Sequence, residues 1–238
     1  YRTRALSASG AAAAFAVGTI VFGGGGWRAA AVLFAFFIPS TVLTQLGRAR
    51  KRAIAQARGE VSRNGWQVIA NGGVAALCAL LAARGNMAFA AAFAGAFAAA
   101  SADTWGTEVG TLSRRGPVSI LTLRALPPGR SGGVTPLGLT ATLAGALCVA
   151  ATATLVGIAP FWQVAAGGVV GAVFDSILGA GVQALRWCEV CACECETRHH
   201  DCGATTLLRR GVEWIENDAV NFAATLCGAL VAALASSL

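Results

Sequence analysis

The residues with the most chemical potential are four acids at or inside apolar stretches. Asp103 and Glu108 lie in Ala102-Asp103-Thr104-Trp105-Gly106-Thr107-Glu108, Asp175 in Phe174-Asp175-Ser176-Ile177, and Asp218 in Glu216-Asn217-Asp218-Ala219. An ionisable group in the middle of a membrane span costs about 2.5–3.5 kcal/mol on insertion scales, so it normally faces a partner or a wet cavity. Amides accompany the acids. Gln67 and Asn71 are four residues apart and share one helix face, as do Asn217 and Asn221, with Asp218 one position over. Carboxylates and amides brought to one depth by several helices are what a hard cation such as Mg²⁺ accepts. Snorkelling or helix-capping acids and simple interhelical amide contacts are the structural alternatives for the same residues.

Two further groups stand outside the apolar stretches. Pro127-Pro128-Gly129-Arg130-Ser131-Gly132-Gly133-Val134-Thr135-Pro136 offers backbone N–H groups, hydroxyls, a guanidinium and a following helix N-terminus, a combination that suits a phosphate. It is neither a Walker A sequence nor a G-x-G-x-x-G, and a plain turn accounts for the segment equally well. The other group is Cys188-x-x-Cys191 followed by Cys193, Cys195, His199, His200 and Cys202. Thiolate and imidazole at this density suit tetrahedral Zn²⁺ with four protein ligands, a structural site and not a catalytic one. Cys188, Cys191, His200 and Cys202 are the favoured set; Cys193 and Cys195 are the substitutes, and unligated thiols the alternative. No G-x-S-x-G, H-E-x-x-H or D-D-x-x-D occurs, so serine hydrolysis, zinc proteolysis and aspartate-rich prenyl-diphosphate ionisation have no positive support.

The elements that must position these groups are membrane helices. The chain of 238 residues is 56% hydrophobic and 12% charged, about half the charge of a soluble domain. A spanning helix needs about 20 predominantly apolar residues. Such stretches run over 5–27, 29–47, 64–83, 85–102, 135–157, 161–185 and 219–238, the fifth and sixth being split at Gly157 and Pro160. The fold class expected is all-α: one polytopic bundle over 1–238, of about seven transmembrane helices, with an inner Cys/His-rich loop at 186–216. The fill is mostly Ala and Gly, which lets helix backbones approach closely. With the N-terminus inside, only Arg28 and Arg84 of the eighteen Lys and Arg residues fall on the outer side, as the positive-inside rule requires. The net charge of +7 then faces an anionic leaflet, and nucleic acid is not needed to explain it. The long connections 48–63, 103–134 and 186–218 all lie inside, so the chemistry is expected there. A start at Tyr1 leads us to expect a signal or transit segment upstream.

Several separated motifs in order give the chain a family resemblance. They are Gln67-Val68-Ile69-Ala70-Asn71-Gly72, the segment 102–110, Ser131-Gly132-Gly133-Val134-Thr135, Asp175-Ser176-Ile177-Leu178-Gly179-Ala180, His200-x-Cys202-Gly203 and Asn217-Asp218-x-Val220-Asn221. The chain resembles, over almost its whole length, the integral-membrane family that includes the plant and cyanobacterial phytyl-phosphate kinases of tocopherol synthesis. The Cys-rich loop departs from the pattern by its extra Cys193 and Cys195.

The resemblance implies a kinase that adds a second phosphate to an isoprenoid monophosphate such as phytyl phosphate, using a nucleoside triphosphate, CTP foremost. It implies Mg²⁺ held by Asp103, Asp175 and Asp218 with Asn71, Asn217 and Asn221. Arg130, Ser131, Gly132, Gly133 and Thr135 would bind nucleotide phosphates, with Ser176 in the same site and Glu108 as a ligand or orienting group. The partners implied are the lipid phosphate, the nucleotide and membrane lipids. The membrane would be a bacterial inner membrane or a chloroplast envelope or thylakoid, with the site facing cytoplasm or stroma. The acceptor is already ionised, so no general base is required, and phosphoryl transfer rests on positioning and charge neutralisation. A lipid-phosphate cytidylyltransferase and a membrane transporter are the competing readings. The first differs only in its products, and the second is disfavoured by the lack of an inverted repeat and by polar residues on one side only.

Overall fold

The computed structural model describes residues 6–46 and 64–235; the basic segment 48–63 and the arginines at positions 2 and 4 lie outside them. The described residues form a helix bundle capped at one end by small sheets. In chain order the elements are α1 (Ala8–Gln45), α2 (Gly65–Ala82), α3 (Met87–Gly110), β1 (Val118–Ser119), β2 (Gly133–Val134), α4 (Pro136–Leu155), α5 (Phe161–Gly181), β3 (Leu185–Cys188), β4 (Cys193–Cys195), β5 (Leu207–Arg210) and α6 (Asn217–Leu234). All six helices are long and apolar enough to cross a membrane.

Six helical elements replace the seven separate helices expected, because the first two apolar stretches form one element, α1. Its 38 residues would reach about 57 Å if straight, nearly twice the bilayer core. The helix is broken at Gly26, whose φ of 60° and ψ of −152° are non-helical and open to glycine. The two legs follow different partners. Along the first, Ser9 Oγ accepts from Gly65 N, Val17 packs on Gly72 and Gly24 on Ala79, so this leg runs parallel to α2. Along the second, Phe36 stacks on Phe97 and Thr44 Oγ1 donates to Glu108 at 2.7 Å, so this leg runs parallel to α3. The short 83–86 connection makes α2 and α3 antiparallel. The chain therefore reverses at Gly26, and each leg is of spanning length.

Helix α3 is the axis of the bundle. Its residues from Ala91 to Ala102 are all buried, mostly Ala with Phe93, Gly95, Phe97 and Ser101, the all-round apolar surface of a helix enclosed by others. Glycines set how closely its neighbours approach. A Cβ at Gly95 would lie 2.5 Å from Gly228 O, one at Gly167 would lie 2.5 Å from the same oxygen, and one at Gly228 would lie 2.9 Å from both Gly95 O and Gly167 O. Helices α3, α5 and α6 thus cross backbone to backbone at one level. One turn on, Gly171 meets Ala99 and Ala224 O in the same way. Helices α3 and α5 run in the same direction and α6 against them.

The connections sort by length to the two ends. Residues 83–86 and 156–160 and the Gly26 reversal are at one end, with Arg28 beside Gly157. At the other, β1 pairs antiparallel with β2, and β3 is the central strand of the sheet β4-β3-β5.

Candidate functional site

The glycine ladder continues into polar residues. Asp103 lies eight residues beyond Gly95 on α3, Asp175 eight beyond Gly167 on α5, and Asn221 seven before Gly228 on α6. Steps of seven or eight return a side chain to the same helix face, so the three point toward the axis that the glycines define, about 10–12 Å closer to the sheet end. Asn71 on α2 completes the ring. Asn71, Asp103, Asp175 and Asn221 line one cleft, floored by Ala99, Ala100, Ala224 and Thr225. Thr225 ties two of its walls, its hydroxyl donating to Ala70 O at 3.1 Å. Asn71 Nδ2 donates to Gln67 O, and its Oδ1 carries no hydrogen bond among the described residues. Gln67 itself is a cap: its side chain and that of Asn64 form a reciprocal capping box at the start of α2.

The two acids of the cleft face the same small space, and each negative charge acts on the other. Asp175 Oδ2 is buried with no hydrogen-bond partner among the described residues. Two ionised carboxylates about 4 Å apart repel by about 4 kcal/mol even at an effective dielectric of 20. The pair needs a proton or a cation between its oxygens, and two carboxylates with two amides are an all-oxygen set for one.

The remaining expected acids do not line this cleft. Glu108 accepts from Thr44 on the second leg of α1. Five residues separate it from Asp103, which turns it about 140° around α3. Asp218 and Asn217 sit in the first turn of α6, where an acid suits the positive end of the helix dipole. Ser176, one position from Asp175, faces a second cleft that it lines with Ile120, Val134, Thr135, Leu139 and Thr142.

The expected phosphate cradle is engaged by the chain's own acids. Arg130 Nη1 pairs with Glu194 Oε2, and Ser131 gives its N–H (2.9 Å) and its hydroxyl (2.7 Å) to the two oxygens of Glu196, which also accepts from Gln183 Nε2. Gly133 N donates to Arg130 O, and Thr135 Oγ1 caps α4 by accepting from Gly138 N. Gly132, at φ +75°, lets the loop dock on the end of α5: a Cβ there would collide with Ala180, and one at Gly179 would lie 2.9 Å from Gly132 N. The loop has the shape of an anion site, but Glu196 holds the anion's place.

In the Cys/His loop the ligand-capable atoms of Cys188, Cys191, His200 and Cys202 all lie within 4.8 Å of one another. The Ala204 backbone hydrogen bond, aided by His200, pulls the Cys202 thiol down to about 6. The hydrogen bond with Cys202 pushes the Cys191 thiol up to about 12. Cys193 Sγ lies 3.6 Å from His200 Nε2, and Cys195 Sγ points to Thr197 O.

The sequence profile of integral membrane protein DUF92 matches residues 1–229 of the chain. The chain belongs to the DUF92 family. It is 30% identical to Protein PGR of Arabidopsis thaliana over 271 residues, covering 99% of this chain and 91% of that protein. It is 29% identical to uncharacterized membrane protein MJ0933 of Methanocaldococcus jannaschii, covering 75% of each. It is 26% identical to uncharacterized membrane protein sll0875 of Synechocystis, covering 92% of this chain and 78% of that protein. None of these names states an enzymatic activity. No solved structure matches the chain.

Thr225, Gln183, Glu194 and Glu196 of this DUF92 chain belong to the site region without having been singled out from the sequence. The signal for the last two was present in Cys193-Glu194-Cys195-Glu196, whose two-residue alternation puts thiols on one face of a strand and acids on the other. Gln183 carries no such pattern.

Proposed function

We propose that this DUF92 protein is a membrane phosphotransferase that moves the terminal phosphoryl group of a nucleoside triphosphate, CTP foremost, to an isoprenoid monophosphate such as phytyl phosphate. The observation that carries the reading is the convergence of Asp103, Asp175, Asn71 and Asn221 from four helices on one cleft, with Asp175 Oδ2 buried and unpartnered among the described residues. These four are the side chains that would hold Mg²⁺, which neutralises phosphate charge and aligns the reacting groups when bound. Asp218 and Asn217, a turn nearer the sheet end, stand where the outer phosphates would approach.

In the reaction an ionised oxygen of the lipid phosphate attacks the terminal phosphorus, the bond to the bridging oxygen breaks, and the nucleoside diphosphate leaves with that electron pair. The attacking oxygen carries no proton to remove, which fits a cleft of acids and amides with no histidine. Arg130 and the Ser131 N–H are a cationic and a neutral donor on the loop that docks against the end of α5. A nucleotide phosphate would reach them by taking the places of Glu194 and Glu196. The site end, which carries most of the described arginines, would face the cytoplasm of a bacterium or the stroma of a chloroplast.

The test is detergent-purified protein with Mg²⁺, CTP and phytyl phosphate, following lipid and nucleotide products together. Phytyl diphosphate with CDP is expected. Pyrophosphate with a CMP-linked lipid would replace the kinase by a cytidylyltransferase. Neither product, across several isoprenoid phosphates and nucleotides, would overturn phosphotransfer in favour of transport.

A further inference from the structure

We propose that Cys188, Cys191, His200 and Cys202 bind one structural zinc ion, and that this ion seats the β4 strand on the loop carrying Arg130 and Ser131. The proposal goes beyond phosphotransfer and does not depend on it.

The distances carry the first half. Zinc at about 2.3 Å from sulfur and 2.0–2.1 Å from nitrogen in a tetrahedron needs ligand atoms roughly 3.4–3.8 Å apart. Cys188 Sγ and Cys202 Sγ, 3.6 Å apart, fall in that range, His200 Nδ1 lies just below it at 3.3 Å from Cys202 Sγ, and all four ligand atoms lie within 4.8 Å of one another, so metal binding asks only for small shifts. A disulfide would need about 2.05 Å, and all the described cysteines are free. The ligands come as two knuckles, Cys-x-x-Cys at the end of β3 and His-x-Cys after β4, the second closed by Gly203 at φ +83°. The other ring nitrogen of a zinc-bound histidine normally has its own partner, which fixes the tautomer. Here that partner is Cys193, 3.6 Å from Nε2, which gives the extra cysteine a place outside the ligand set. Cys195, buried on the same strand face, is directed away to Thr197 O.

The second half follows from the strand. The strands β3, β4 and β5 have four, three and four residues, a sheet too small to order itself by apolar burial. Small units of this kind need a staple. With Cys193 and Cys195 turned to the metal side, the alternation turns Glu194 and Glu196 to the other. There Glu194 grips Arg130, and Glu196 takes the Ser131 N–H, the Ser131 hydroxyl and Gln183. A zinc ion on one face of β4 thereby fixes the carboxylates that fill the anion loop on the other.

The experiment is metal analysis of the detergent-purified full chain by inductively coupled plasma mass spectrometry, with hydrogen exchange read on the same samples. One zinc per chain is expected, retained by Cys193→Ser and Cys227→Ser and reduced below about a tenth by Cys191→Ser or His200→Ala. Zinc removal from the unsubstituted protein by a thiol reagent and chelator should speed amide exchange of residues 129–134 at least about tenfold, with α3 and α5 unchanged. The unsubstituted protein keeps this test open if a variant fails to fold. Zinc-free protein from zinc-replete cells, or zinc retained in both ligand variants, would overturn the metal site. Unchanged exchange at 129–134 after zinc removal would overturn its seating role.

Discussion

The crossing of α3, α5 and α6 is the feature on which the site most depends, and Gly228→Ala perturbs it most directly. The new methyl group would sit 2.7 Å from Ala99 Cβ and 2.9 Å from the carbonyl oxygens of Gly95 and Gly167. Ordinary contact is about 3.4–4 Å, so two neighbouring backbones must each retreat by several tenths of an ångström or more. Overpacking of this kind costs about 1–3 kcal/mol, partly offset by the roughly 0.5–1 kcal/mol that alanine gains over glycine inside a helix. The net loss, about 1–2 kcal/mol, should lower Tm by about 2–8 °C for a chain of this size. The displacement lies only about 10 Å along the axis from Asp103, Asp175 and Asn221, and a 1 Å misplacement at a reacting centre can cost about 100-fold in rate. The assay is thermal unfolding in detergent by differential scanning fluorimetry, with Gly18→Ala as control. A Cβ at Gly18 meets nothing within 4 Å, so that substitution should leave Tm unchanged or raise it slightly. A Gly228→Ala protein that melts at or above the unsubstituted chain would refute the backbone-to-backbone crossing.

Asp103→Asn and Asp175→Asn should each reduce Mg²⁺-dependent turnover by at least about 100-fold, above the 10–100-fold typical of an outer metal partner. Glu108→Gln, outside the cleft, should stay within about threefold; equal losses in all three would place the chemistry elsewhere. Glu196→Gln removes both the carboxylate that fills the Ser131 donors and a negative charge acting on Asp175, so the KM for nucleotide should fall. A rise in KM would mean that Glu196 assists binding. In right-side-out vesicles an impermeant maleimide should reach Ala8→Cys and Leu121→Cys from one face and Met87→Cys from the other. Labelling of Ala8→Cys from the Met87 side would mean that α1 does not reverse at Gly26.

The spans were legible because each is an unbroken apolar run and because arginine divides so unevenly between the ends. The first two make up the single element α1, and the four glycines at 23–26 already marked the place where its two legs part. Within the site, legibility followed helix phase. Asp103 and Asp175 each sit at the end of a four-residue small-residue ladder, Gly95-Ala99-Asp103 and Gly167-Gly171-Asp175, and Asn221 stands in the mirrored order before Ala224 and Gly228. Position in the span put Glu108, and the family resemblance Ser176, in the same group, whereas their angles of about 140° and 100° from those ladders send them to other surroundings. The pairing of Arg130 with Glu194 and of Ser131 with Glu196 spans more than sixty residues of chain. No local pattern reports a contact of that kind; only the folded loops bring it about.

The order of layers along the bundle axis bears on what substrate such a cleft could serve. From the end with short connections, the axis carries Gly95, Gly167 and Gly228, then Ala99, Gly171 and Ala224, then Asp103, Asp175 and Asn221, then the first turn of α6 with Asp218, and beyond it the Arg130–Ser131 loop. Polarity therefore rises step by step toward one membrane surface, with the carboxylates about seven residues, or 10 Å, inside the end of α3. A soluble substrate gains nothing from acids set that deep, where each carries an insertion cost. An amphiphile would: its hydrocarbon would stay among apolar helix surfaces while its phosphate approached the carboxylate and amide oxygens, and under the proposed reaction a nucleotide would reach the same point from the arginine-rich side. The second cleft, apolar apart from Thr135, Thr142 and Ser176 and walled on α5 by Ala172, Val173 and Ser176, offers such a surface one helix position round from Asp175. A bulky substitution at the half-buried α5 wall of that cleft, Val173→Phe, should raise KM for a long isoprenoid phosphate and leave a short-chain one nearly unaffected. Equal effects on both chain lengths would exclude that cleft as the tail's position and leave the lipid-facing grooves of α3 and α5 to hold it.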